Sequence, residues 1–171
     1  MDTAELELDN PFWRFSLAVY AADGVEDECL ALQQELNIDV NLLLFSVWVG
    51  AERGINITLD DIRSADATVE SWRKRVVRPL REVRQALKKT RADRDDFRRK
   101  VKAIELEAEQ IEQAKLYIFA CKRWPDEGRR QSTQITANAR AFMLYATDGT
   151  TRGDDEARLR SLIEAADRLA R

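Results

Sequence analysis

The chain reads as all-α: a single-domain helical bundle with a long antiparallel helical hairpin. Three observations carry this. Leu, Ala, Glu and Arg dominate, and six glycines and three prolines in 171 residues are too few for a loop-rich β-sandwich. Apolar residues recur at steps of three and four along most of the chain. Nothing reads as a strand, because the β-branched stretches at 47–49 and 55–57 are short and badly placed.

Asn10-Pro11 starts the first helix. Asn caps it, and Pro fits the first helical position, where its missing N–H costs nothing. This helix runs over 12–22 and stops at Asp23-Gly24. A second helix spans 25–36, with Glu26, Asp27 and Glu28 in a first turn that favours anions, and Asn37 as a left-handed terminator. Asp39 caps a third, 40–53, closed by Gly54. It is apolar nearly all round, which places it at the centre of a core.

Thr58-Leu-Asp-Asp61 resembles a capping box and opens a short helix to about Ser64. Asp66 is expected to cap the next helix, 66–89, whose apolar residues Val69, Trp72, Val76, Leu80, Val83 and Leu87 keep to one quadrant. Pro79 inside it predicts a kink or a break. After a turn at 90–92, a helix over 93–123 carries a heptad seam through Phe97, Val101, Ile104, Ala108, Ile111, Lys115 and Ile118. The sequence Trp124-Pro-Asp-Glu-Gly128 ends it. A further helix spans 132–147. The expected domain is therefore 1–149, with a core bundle at 10–65, the hairpin at 66–124 and the helix at 132–147. A polar linker and a C-terminal amphipathic helix complete the chain at 150–171.

Net charge is −3, but it is unevenly spread. Residues 1–62 hold 13 acidic and 2 basic side chains, net −11. Residues 63–102 hold 15 basic and 6 acidic, net +9. On the basic helix, Arg73, Lys74, Arg75, Arg78, Arg81, Arg84 and Lys88 are expected opposite the apolar stripe. They form either a solvated face packed beside acidic neighbours, where pairs are worth about 0–1 kcal/mol each, or a face that binds an anionic partner. Nucleic acid is disfavoured, because the face offers no exposed aromatics for stacking and the pI is about 5.3.

The chain has no histidine, which excludes Ser-His-Asp and Cys-His catalysis and imidazole metal ligation. The adjacent carboxylate pairs, such as Asp60-Asp61 and Asp95-Asp96, sit in first turns, where capping explains them. A Mg²⁺ site from Asp23, Asp27 and a third carboxylate is a minor reading, and no cofactor or metal is expected. The motif Gly149-Thr-Thr-Arg-Gly153 lacks phosphate-loop spacing. Cys29 and Cys121 stand far apart and suit buried, reduced thiols. An acidic amino terminus is unlike a secretory leader, and the longest uncharged run, 40–51, is far short of the ~20 residues a span needs. These features together point to the cytoplasm.

Early aromatics are abundant. They suit core packing, or else an apolar-ligand pocket lined by Trp13, Tyr20, Phe45 and Trp48. The seam at 97–118 serves either packing within one chain or a homodimer.

The run Asn10-Pro-Phe-Trp-Arg-Phe-Ser-Leu-Ala-Val-Tyr20 carries a resemblance, with Gly24-Val25, Cys29-Leu-x-Leu-Gln33 and Asp39-Val-Asn-x-Leu-Leu-x-x-x-Trp48. It continues into Trp72-Arg73, Val76-Val77 and Pro79-Leu80-Arg81. Over about 10–89 the chain resembles a family of short uncharacterised proteobacterial proteins, a domain of unknown function. The resemblance implies a bacterial, cytoplasmic protein and no particular activity, ligand or catalytic residue. The functional expectation is a non-catalytic interaction or regulatory protein, binding another protein through Arg73, Arg78, Arg81, Arg84 and Lys88. The alternative is a binder of an apolar ligand or lipid-like cofactor in the pocket of the first three helices.

Overall fold

The computed structural model describes residues 6–88, 95–125, 128, 131–150 and 153–171. They form an all-α bundle of helices α1 (Pro11–Tyr20), α2 (Val25–Leu36), α3 (Val40–Trp48), α4 (Leu59–Trp72), α5 (Arg78–Lys88), α6 (Asp95–Arg123), α7 (Ser132–Ala146) and α8 (Arg160–Leu169). The expected turn at 90–92 lies outside the described residues, as do 126–127 of the terminator and 151–152 of the linker.

The capping signals act as read. Asn10 Oδ1 accepts from Trp13 N at 2.9 Å, and Asp39 Oδ1 accepts from Asn41 N at 2.8 Å. Asn37 adopts φ 52°, and Thr58 and Asp61 close a reciprocal capping box. Helix α3 is the hub: Asn41 to Trp48 are all buried. Its last turn widens into a π-helix, Val49–Arg53, where α7 crosses closely. Gly50 permits that approach, since a Cβ there would lie 2.8 Å from the Gln134 carbonyl oxygen.

Around α3, Phe12 stacks on Trp48 at 5.2 Å and meets Phe45 edge-on at 5.7 Å, and Tyr117 and Phe119 of α6 extend the cluster. Helix α8 packs through Leu162, Ala165 and Ala166. Its first amides donate to a side chain of α2, with Ser161 N and Leu162 N at 2.8 and 3.1 Å from the two Glu28 oxygens. Glu28, expected to serve the first turn of its own helix, thus caps another.

Two expectations about the basic helix are corrected. No new helix starts at Asp66, because α4 runs unbroken from Leu59 through a π turn, Arg73–Val77, into α5. Asp66 is held mid-helix by Arg73 and by the Tyr145 hydroxyl. Nor does Pro79 break the helix. Its ring would crowd the carbonyl of Arg75, which lies inside the π turn, where Arg78 N reaches back five residues to Arg73 O. The wider turn accommodates the proline without ending the helix.

The heptad seam of α6 is also misplaced. Phe97 and Ile104 are 56% and 51% exposed. The buried ridge runs instead through Val101, Glu105, Ala108, Glu112, Leu116 and Ala120, at steps of 4, 3, 4, 4 and 4. Glu105 occupies it because Arg81 and Arg84 of the preceding helix pair with it, and Glu112 because Asn41 donates to it.

Candidate functional site

The arginine–glutamate pairings run in opposite directions along the two helices, which makes α4–α5 and α6 an antiparallel hairpin. Arg73 faces Glu112, Arg81 reaches Glu109 at 2.6 Å and Glu105 at 3.1 Å, and Arg84 bonds Glu105. Trp72 Nε1 donates to Ala108 O at 2.9 Å and fixes the register.

Arg73 is the centre of a buried charge cluster at the root of this hairpin. It is 8% exposed, although sequence periodicity puts it on a solvated face. It lies one helical turn after the buried Val69, on the same face, and so projects inward against Asp39 of the α2–α3 loop. Its guanidinium bonds Asp39, pairs with Asp66 at 2.6 Å, and lies 3.8 Å from Glu112. Burial opposes the charge, but Asp39 and Asp66 outweigh it and hold Arg73 further above its usual range. Glu112 is fully buried, with its Oε2 accepting from Asn41 Nδ2 at 3.1 Å; Asn41 Oδ1 in turn accepts from Gln113 Nε2 at 2.9 Å. Burial, then the negative charge of Asp39 and a hydrogen bond to it, push the Glu112 carboxyl well above the usual range. The surroundings of Glu112 therefore favour its neutral, protonated form. Tyr145, donating to Asp66 Oδ2 at 2.7 Å, is pushed up to about 12 by burial and that bond.

A cleft of about 180 Å³ opens over this cluster, with Asp39, Asp66, Arg73, Arg78 and Tyr145 on its polar side. Leu36, Ile38, Leu42, Phe142 and Ala146 form its apolar wall. Arg78 is half-buried, and its side chain makes no hydrogen bond or ion pair among the described residues.

The five basic-face residues thus separate. Arg73, Arg81 and Arg84 are spent on carboxylates of the same chain, Arg78 enters the cleft, and Lys88 is exposed. Of the four aromatics expected to line a pocket, Phe45 and Trp48 fill the core at 1% exposure, while Trp13 and Tyr20 are partly buried. None of them lines this cleft or a second one, of about 370 Å³, bounded by Thr68, Ser71, Trp72, Arg75, Val76 and Lys115. Sequence reasoning missed Asp39, Asp66, Glu112 and Tyr145. A usable signal was present in the antiparallel match of Arg73, Arg81 and Arg84 with Glu112, Glu109 and Glu105. Among the described residues, no group of three acidic or cysteine side chains is arranged to hold a metal ion. No described helix is long and apolar enough to cross a membrane.

A family model described as "Protein of unknown function (DUF2390)" matches residues 11–116. The chain belongs to that family. The match reaches beyond Lys89, where the resemblance seen in the sequence ended, and takes in most of α6. The DUF2390 region therefore contains Asp39, Asp66, Arg73 and Glu112, whereas Phe142, Tyr145 and Ala146 lie outside it. No curated protein and no solved structure matches the chain.

Proposed function

We propose that this DUF2390 member is a non-catalytic interaction protein that docks an acidic amphipathic helix of a partner on the hairpin arm. One observation carries the reading: α5 has a sharply divided apolar and basic character, yet none of its residues is buried. Val83, Phe97 and Ile104 are 45%, 56% and 51% exposed.

These residues share one side of the arm. The second cleft sets Trp72 and Val76 against Lys115. Helical spacing continues the first stripe through Leu80 and Val83, and the second through Ile111, Ile104 and Phe97. An uncovered two-helix apolar strip is the surface an amphipathic helix fills.

Charge selects the occupant. Arg75, Lys88, Lys100 and Lys102 are exposed and make no ion pair among the described residues. The segment 63–102 is net +9, so a second copy would bring like charge against like, and an acidic helix would not. The free thiols Cys29 and Cys121, one buried and one half-buried, support a reducing bacterial cytoplasm as the setting.

The test is fluorescence anisotropy with a labelled helical peptide carrying leucines at heptad positions and glutamates on the flanks. Binding that weakens with salt, falls about tenfold or more with lysine flanks, and is lost in Val83→Asp/Ile104→Asp supports the reading. Equal affinity for both peptides would overturn it. A concentration-dependent dimer in sedimentation, abolished by the same double variant, would replace it with self-association.

A further inference from the structure

We infer that the cleft at the root of the arm binds a small zwitterion with an apolar tail, the chemistry of a free apolar α-amino acid. The inference does not depend on the docking reading, since the docking strip lies along the arm and the cleft lies between α2, α4–α5 and α7.

Three features define the ligand. The first is an electronegative end. Asp39 and Asp66 share a single buried guanidinium, that of Arg73, and Glu112 behind them adds no positive charge. Two helix C-termini also reach the cleft, α2 at Leu36 and α7 at Ala146, and neither helix has a basic residue in its last turn. Helix C-termini carry partial negative charge, so this end favours an ammonium group. Asp66 Oδ1 is buried against Arg73, while Oδ2 accepts from Tyr145 alone and keeps an acceptor site for a ligand N–H.

The second feature is Arg78. It lines the same cleft, and its five guanidinium donors make no hydrogen bond or ion pair among the described residues, which suits a carboxylate. Arg73 adds a second sign of an unfinished polar site, because its Nε is buried without an acceptor. The third feature is the apolar wall of Leu36, Ile38, Leu42, Phe142 and Ala146, which asks for hydrocarbon. The volume of about 180 Å³ equals some six waters at ~30 Å³ each, below the usual range for drug-sized ligands. That size admits a metabolite of amino-acid dimensions. An anion alone would meet Asp39 and Asp66, and an amine alone would leave Arg78 unpaired. Only a molecule with both charges satisfies both ends.

L-leucine, 3-methylbutylamine and 4-methylpentanoate share one hydrocarbon tail and differ in their charges. Calorimetric titration of the full chain with each probe separates the cases. The expected result is saturable binding of L-leucine, at least tenfold tighter than either half-ligand. Two variants should abolish it with unchanged circular dichroism: Arg78→Ala, which removes the carboxylate partner, and Ala146→Trp, which fills the cleft. Arg75→Ala, outside the cleft, should bind as the parent does. Absence of saturable L-leucine binding, equal binding of a half-ligand, or full binding by Arg78→Ala would each overturn the proposal.

Discussion

Glu112 has no solvent exposure and sits between Asn41, Asp39 and Arg73, so its proton has energetic consequences. Its folded-state pKa lies above the ordinary 4.5, so between those two values the folded chain holds a proton that the unfolded chain has lost. Stability therefore falls as pH rises through that window, by at most about 1.4 kcal/mol per unit. Glutamine mimics the neutral acid: its oxygen can accept from Asn41 and its amide can donate to Asp39. In paired urea melts, Glu112→Gln should gain on the parent by about 1–3 kcal/mol between pH 5 and pH 8. Every other titrating group is shared by the two chains, so the difference reports the Glu112 carboxyl together with its interaction with Asp39. A constant difference across that range would mean Glu112 is ionised in the fold. Burial, with the neighbouring Glu28 adding to it, likewise pushes the Cys29 thiol up to about 12. Neither residue was legible as special in the sequence. A glutamate at a helical step and a cysteine in an apolar stripe declare themselves only through what surrounds them.

At the scale of elements, local chemistry was readable and tertiary override was not. The starts of α1, α3 and the capping-box helix follow from short-range hydrogen bonding, so Asn10, Asp39 and Thr58 announced them. The all-apolar α3 announced its own burial. The α6 ridge did not, because an apolar seam through Phe97 and Ile104 is the better amphipathic pattern. The structure instead buries Glu105 and Glu112, since Arg81 and Arg84 pair with the first and Asn41 donates to the second. The π turns were illegible for a related reason: each answers a demand from outside its own segment. At Val49–Arg53 the demand is the close passage of α7, and Gly50 meets it. Gly50→Ala would put a methyl group 2.8 Å from the Gln134 carbonyl oxygen and 3.0 Å from Asn138 Nδ2. Asn138 bonds Ile57 N, Ser46 O and Ile55 O, so the clash would disturb a hydrogen-bonded joint. The expected loss is about 1–3 kcal/mol in urea unfolding. Gly149→Ala is the comparison where a Cβ meets nothing within 4 Å, although its φ of +82° carries a backbone cost of its own. A neutral Gly50→Ala would show that α7 can retreat.

Across the whole molecule, stability is divided unequally between the bundle and the arm. Every residue of α3 from Asn41 onward is buried, while α5 buries none and is held through half-exposed apolar contacts and the Arg81, Arg84, Glu105 and Glu109 pairs. Elements with little buried apolar surface open by routes cheaper than global unfolding. Native-state hydrogen exchange should therefore find the α5 amides exchanging about 10–100-fold faster than those of α3, an opening about 1–3 kcal/mol below the global value. Glu105 is the shared acceptor of Arg81 and Arg84 and is itself 4% exposed. Glu105→Ala removes both bonds together and leaves two partly buried guanidiniums with fewer partners. It should speed α5 exchange roughly tenfold more while leaving α3 unchanged. That pattern separates a locally opening arm from one that melts only with the core. If the variant accelerates α3 and α5 equally, arm and bundle form one cooperative unit. A docking surface on it would then be rigid before any partner arrives. If α5 alone responds, an acidic helix seated on Val83 and Ile104 should restore its protection, because the partner covers the apolar strip and binds only the closed arm.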